Sequence, residues 1–229
     1  LLLEFERRIA RSFDASLVVS DVERALFMRY IPDVTPHVIP NGVDVAHFQS
    51  RTDSAREPHT VVFTGVMDYE PNVDGVLWFA QACWPAIRRE YPDARFLVVG
   101  NRPIQRITEL HGKNGIEVTG WVPETIPYFD RSSVAIAPLR LARGIQNKVL
   151  EAMSMGLPVV ASPQAAQGLG SVDSAVLCVA PNEAAITAGV LAAFRDPAQA
   201  RARGARAADH VRTHFRWEHM LSRLDGVLE

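Results

Sequence analysis

A chain of 229 residues, 48% hydrophobic and 22% charged, has ordinary globular composition and room for one large α/β domain plus part of another. A formal net charge of −2 and a pI of about 6.4 give no electrostatic case for a nucleic-acid partner. No apolar run reaches the ~20 residues that span a bilayer as a helix, and Cys83 and Cys178 lie in apolar contexts without CxxC spacing, as reduced thiols of a cytoplasmic protein do.

From the amino end, Leu2 to Phe13 predicts an amphipathic helix, because Leu2, Phe5, Ile9 and Phe13 recur at helical spacing. The chain begins without Met, inside that helical pattern, and shows no signal peptide, so an excised piece of a longer protein is expected. Ala15 to Ser20 is a short apolar strand, and Ser20 or Asp21 caps a helix running to about Tyr30. His37 to Pro40 is another strand, closed by the turn signal Asn41-Gly42. Gln49 to Pro58 is polar and aperiodic, which places the domain boundary there. Residues 1–50 are then the end of one domain and a crossover, and residues 58–229 a second domain.

Beyond the boundary, strands rich in Val and Ile and bounded by Gly alternate with helices. The strands are Thr60 to Gly65, Arg95 to Gly100, Ile116 to Thr119, Val134 to Pro138, Pro158 to Ser162 and Val176 to Val179. Predicted helices run over Asn72 to Arg89, Pro103 to His111 and Asn147 to Met155, Val122 to Phe129 is a short helix or turn segment, and Gln164 to Gly168 is expected to be a loop. Three helices close the chain, Asn182 to Phe194, Ala198 to His214 and Trp217 to Leu228, with a break at Asp196-Pro197. The alternation predicts an α/β fold, a doubly wound parallel sheet with helices on both faces.

Ligands of such sheets bind beyond the carboxyl ends of the strands. Those ends are Gly65-Val66-Met67, Gly100-Asn101-Arg102, Gly120-Trp121-Val122, the segment from Pro138 to Asn147, and the segment from Pro163 to Gly170. Neither a GxGxxG fingerprint nor a GxxxxGK[ST] loop is present. The candidate phosphate cradle is therefore Arg140 to Lys148. It offers Arg140, Arg143 and Lys148 as cations, Gly144 and Ile145 where backbone can approach a ligand, and Gln146 and Asn147 at a helix start. Lys148 and Glu151 share a helix face, the lysine placed for a diphosphate and the glutamate for sugar hydroxyls; they are the candidate catalytic pair. The seven histidines share no metal-ligand spacing with carboxylates or cysteines, so no metal is expected, and no Ser-His-Asp or Cys-His arrangement stands out. Trp121 is open to two roles, stacking on a base or packing as a core or rim aromatic, and Arg102 is either a ligand or a solvated loop cation.

The stretch KVLEAMSMGLPVVAS resembles the signature of the C-terminal, donor-binding domain of GT-B glycosyltransferases of family 4, the group 1 transferases. ASLVVSDVERALF and VIPNGVDVAHF are similar to the end of that family's N-terminal domain and its crossover. TGVMDYEPNVDGVLWF, GWV and PLRLARGIQNKVLEAM resemble the transferases of exopolysaccharide and PEP-CTERM systems. The resemblance implies a retaining transfer of sugar from a UDP- or GDP-type donor to a glycan or lipid-linked acceptor, with no further cofactor. It also implies peripheral membrane association of the full-length enzyme. Within it, Glu151 matches the second glutamate of the Glu-x7-Glu motif, which holds the ribose, and Arg143 stands where the first glutamate is usual. Trp121 and Val122 fall where the family contacts the base. The basic pair usual after the first strand is absent, Gly65 being followed by Val66, Met67 and Asp68, which leaves Lys148, Arg143 and Arg140 to replace it. An epimerase of the same fold, or a nucleotide-binding fragment without turnover, are the alternatives. The crossover strands, lacking their sheet, are expected to expose apolar residues and favour self-association.

Overall fold

The computed structural model describes residues 1–50, 56–142 and 144–228. Part of the predicted boundary segment (51–55) and the cradle residue Arg143 lie outside the described residues.

Helix α1 (Leu2–Ser12), strand β1 (Leu17–Val18), helix α2 (Asp21–Tyr30) and strand β2 (His37–Val38) come first. The hydroxyl of Ser20 accepts the Glu23 N–H and so caps α2, as its position predicts. These two strands find a partner in each other, β1 pairing with β2 in parallel. Leu17 is still half exposed, and Leu2, Phe5 and Phe13 leave the apolar face of α1 open. The segment then joins the rest of the fold through Val43, whose N–H donates to the Phe215 carbonyl at 2.7 Å.

The main sheet holds β3 (Thr60–Thr64), β4 (Arg95–Val99), β5 (Ile116–Val118), β6 (Val134–Ala137), β7 (Val159–Ala161) and β8 (Cys178–Val179). All six strands are parallel, in the order β5-β4-β3-β6-β7-β8. The five residues of β3 are buried, as a central strand covered on both faces requires. The chain winds outward from β3 to β5, returns to the centre at β6 and winds the other way, so the order reverses between β3 and β6. That reversal opens a crevice beyond their carboxyl ends.

The helices are α3 (Glu70–Trp78), α4 (Trp84–Glu90), α5 (Gln105–Thr108), α6 (Ile126–Arg131), α7 (Asn147–Ser154), α8 (Pro163–Ala166), α9 (Glu183–Arg195), α10 (Pro197–His214) and α11 (Trp217–Leu228). α9 packs on α4 and β7, whereas α7 packs on β6, β7 and α10, which covers the sheet on both sides.

Four predicted elements come out differently. The single helix from Asn72 to Arg89 is interrupted by a π-helical turn, Phe79–Cys83. Pro85 supplies the reason, since it has no N–H to give and its ring collides with the carbonyl one turn back. The helix from Pro103 to His111 shrinks to α5, because left-handed residues at Gly112, Asn114 and Gly115 turn the chain soon afterwards. The short helix or turn expected at Val122 to Phe129 is helical only from Ile126, with Pro127 in the first turn. The loop expected at Gln164 to Gly168 is mostly helical: Ser162 accepts the Ala165 N–H and Pro163 opens α8.

One contact fixes the far end of α7. Arg56 donates to the carbonyls of Met155 and Gly156 at 2.9 and 3.0 Å, filling acceptors that a helix end leaves open. Burial lowers the affinity of its guanidinium for the proton, the field of Asp130 opposing the shift. Arg56→Ala is expected to destabilise the fold by about 1–3 kcal/mol, the cost of two stranded carbonyls. A thermal melt that does not move would show that water replaces the guanidinium.

Candidate functional site

At the β3/β6 reversal the strand ends surround an open cavity of about 520 Å³. Its walls come from the end of β3 (Thr64, Gly65, Val66), the start of α3 (Tyr69, Asn72), the end of β4 (Val99, Gly100, Asn101), Trp121, Val122 and Thr125, the start of α7 (Ile145 to Lys148, and Glu151), and Asn41.

The floor depends on a close approach of two strand ends. Gly100 has φ of +146° and packs directly on Gly65; a Cβ there would lie 1.7 Å from the Gly65 carbonyl oxygen. The Met67 N–H donates to the Asn101 carbonyl at 2.8 Å, so the two loops leave the sheet side by side.

Lys148, in the first turn of α7, points back over β3. Its Nζ donates to the side-chain oxygen of Asn72 and lies 4.6 Å from the ring centre of Phe63. Among the described residues no carboxylate comes within ion-pair distance of it. Burial therefore dominates, and the Lys148 amine is pushed down to about 8, the field of Glu151 opposing the shift. Glu151 is raised from the ordinary carboxylate range by its own burial, with Lys148 pulling the other way. The start of α7 adds first-turn N–H groups without intrahelical partners. Asn41 orients that start by donating from Nδ2 to the Asn147 side-chain oxygen at 3.1 Å.

Of the residues named from sequence, Gly65, Val66, Asn101, Trp121, Val122, Ile145, Gln146, Asn147, Lys148 and Glu151 line this one cavity. Gly144, buried at φ +65°, lies just behind it, between Val19 and Glu23 on one side and the backbone of Gly168 on the other. Arg140 turns elsewhere: its Nε donates to Asp74 at 2.9 Å and its guanidinium lies over the Trp78 ring. Arg102 is paired with Asp68 at 3.1 Å, outside the cavity wall. The wall also contains Asn41, Tyr69 and Asn72, which sequence reasoning left without a role. Asn72 had a local signal, a buried polar residue just after a proline-opened helix start, but its partner lies 76 positions away.

The Oδ1 atom of Asn101, a residue of the cavity wall, is buried away from solvent without a hydrogen-bond donor among the described residues. Trp121 is 72% exposed at the rim, an aromatic face with nothing on it. Among the described residues no cluster of His, Cys, Asp or Glu has the makings of a metal site, and no helix is long and apolar enough to cross a membrane. A larger cavity, about 660 Å³, lies at the amino ends of the strands, but its Arg56 is bound to backbone and its Arg212 to Asp209. The 520 Å³ cavity is the one that gathers the strand-end residues and the start of α7.

A family model described as "Glycosyl transferases group 1" matches residues 58–196. A phosphatidyl-myo-inositol mannosyltransferase of Propionibacterium freudenreichii is 30% identical over 162 residues, which is 68% of this chain and 40% of that protein. Among solved structures, a sucrose-phosphate synthase of Thermosynechococcus elongatus superposes with TM-score 0.80 at 19% identity, covering 99% of this chain and 60% of that one. The Anabaena protein HepE, solved in complex with UDP, superposes with TM-score 0.79 at 16% identity, covering 99% and 66%. This chain thus spans well under half of the mannosyltransferase and about three-fifths of the synthase structure.

Proposed function

The chain belongs to the group 1 glycosyl transferases, and from that premise we propose that its central cavity binds the nucleoside diphosphate of a sugar donor. The observation that carries this is the Lys148 ammonium, held at the cavity by a neutral amide and an aromatic ring, with no carboxylate in ion-pair reach among the described residues. A buried cation so held has N–H capacity to spare, and a diphosphate would use it. The α7 N–H groups add to the same field.

In this reading Lys148 takes the diphosphate and stabilises it as the glycosidic bond breaks, by charge already in place. Glu151 accepts from the ribose hydroxyls. Asn101 contributes to the wall beside the donor, and Trp121 and Val122 receive the base. The UDP in the HepE structure supports the nucleotide class, and the name of the Propionibacterium relative supports a lipid-linked acceptor. The whole protein then transfers a hexose with retention to a glycan or lipid-linked acceptor in exopolysaccharide assembly, in the cytoplasm, with no cofactor beyond its donor. Residues 1–50 are its crossover, and Arg143 is a further diphosphate ligand.

Titration calorimetry with UDP, GDP and ADP tests the core of this. Saturable binding of at least one is expected, and no binding of any would overturn it. Trp121→Ala separates the base from the phosphates. Losing a stacked base is expected to weaken the preferred nucleoside diphosphate by about 1–2 kcal/mol, roughly 5- to 30-fold, with inorganic diphosphate unaffected. Equal losses for both ligands would give Trp121 a packing role instead.

A further inference from the structure

We propose that Asn72 is a positioning residue for Lys148, the group that aims the lysine ammonium at the donor's diphosphate and locks it to the loop after β3; this rests on the functional reading above. Asn72 is 5% exposed, in the first turn of α3, and both the nitrogen and the oxygen of its amide are engaged. Its Nδ2 donates to the Val66 carbonyl at 2.9 Å. That bond fixes which way the amide faces, because the backbone carbonyl requires the nitrogen. The oxygen is left to accept from Lys148 Nζ. One side chain thereby ties the loop after β3 to the first turn of α7, the two elements that border the reversal point.

Among the described residues, Asn72 supplies the one side-chain hydrogen bond to the Lys148 amine. β3 presents the ring of Phe63 to the amine, the loop presents Gly65, and α7 presents Glu151, whose charge acts on the lysine without a hydrogen bond. Gly65 is part of the arrangement, since a Cβ there would lie 2.7 Å from Asn72 Nδ2 and 3.2 Å from Lys148 Nζ. Without the Asn72 oxygen, nothing on α3 directs a flexible four-carbon stem toward one point of the cavity.

Composition makes the proposal directly testable, because the chain contains two lysines, Lys113 and Lys148. Labelling lysine with 13C at Cε gives one exposed reference signal and one site signal. In Asn72→Leu the Lys148 midpoint is expected to fall by about one pH unit or more, since the charged form loses its acceptor. In Asn72→Asp it is expected to rise by a similar amount, with Lys113 unmoved in both. The second readout is UDP affinity. Asn72→Leu is expected to weaken it about tenfold or more, and the double variant with Lys148→Met to be no worse than Lys148→Met alone.

An unmoved Lys148 midpoint in both variants would overturn the proposal, as would losses of affinity that simply add. If Asn72→Leu fails to fold, Asn72→Asp still reads the contact through the upward shift. If the wild-type chain binds no nucleoside diphosphate, the functional reading fails; a moved midpoint would still support Asn72 as the group that holds the amine, and an unmoved one would overturn that too.

Discussion

Lys148→Met is expected to produce a chain that is more stable at neutral pH and binds nucleoside diphosphates ten- to hundredfold more weakly. The binding loss follows from removing a charge-assisted contact, which is about 1.5–3 kcal/mol. The gain in stability follows from linkage. The folded chain holds the Lys148 amine at about 8, below its ordinary 10.5. Between those two values the unfolded chain carries more protons than the folded one, so stability rises with pH across that window. Below about pH 8 the penalty is fully present, on the order of 3 kcal/mol from the difference in affinity for the proton. Methionine removes it, less the cost of leaving the Asn72 oxygen without a donor, about 1 kcal/mol. The melting temperature is therefore expected to rise by several degrees at pH 7 and to lose most of that advantage near pH 10.5. Nucleotide affinity of the wild-type chain runs the opposite way, declining as pH climbs above about 8, because the bound anion requires the charged amine. Calorimetry at several pH values reads both effects. Undiminished UDP affinity in Lys148→Met would remove the lysine from the site, and a melting curve indifferent to pH between 8 and 10.5 would contradict its burial as a cation.

Gly100→Ala is expected to be the most damaging small substitution in the chain. Two independent penalties combine: a φ of +146° that L side chains rarely adopt, and a Cβ 1.7 Å from the Gly65 carbonyl oxygen. Neither can relax locally, since the obstacle is backbone and the Gly65 N–H is itself bonded to the Val99 carbonyl at 3.0 Å. The loop after β3 has to move, and it carries Gly65 and Val66, two walls of the cavity. A loss of about 3–5 kcal/mol is expected, with UDP binding falling further than global stability explains. Chemical denaturation and calorimetry on the same sample separate the two. A variant with native stability and affinity would show that the two strand ends do not touch in solution.

Much of the site was legible because its chemistry is local. The run from Ile145 to Glu151 announces itself as a loop ending in a helix start with a lysine and a glutamate on one face, and the structure puts that face on the cavity. The carboxyl ends of β3 and β4 and the Trp121-Val122 pair could be named from strand assignment alone, because parallel sheets open at those ends. Fine structure was harder. The π-helical turn at Phe79–Cys83 and the shortening of α5 depend on where Pro85 and the left-handed residues fall, and apolar periodicity is blind to both. The Ser162-Pro163 start of α8 was a cap signal passed over.

Long-range partners divide the cations in a way no spacing rule shows. Arg140 and Lys148 are both cations of the cradle expected from sequence, with Lys148 also half of the candidate catalytic pair. Packing gives Arg140 to Asp74 and Trp78 and leaves Lys148 with a neutral amide at the cavity. Composition, periodicity and strand-end chemistry by themselves determined an α/β doubly wound sheet and the segment that carries its ligand groups. These properties belong to residues near one another in the chain, with the hydrophobic pattern setting the layers. Only the tertiary structure decided which base stays available, that Asn72 holds it, and that Gly65 and Gly100 form the floor. Those are contacts between residues tens of positions apart, and they exist only once β3, β4 and β6 lie side by side.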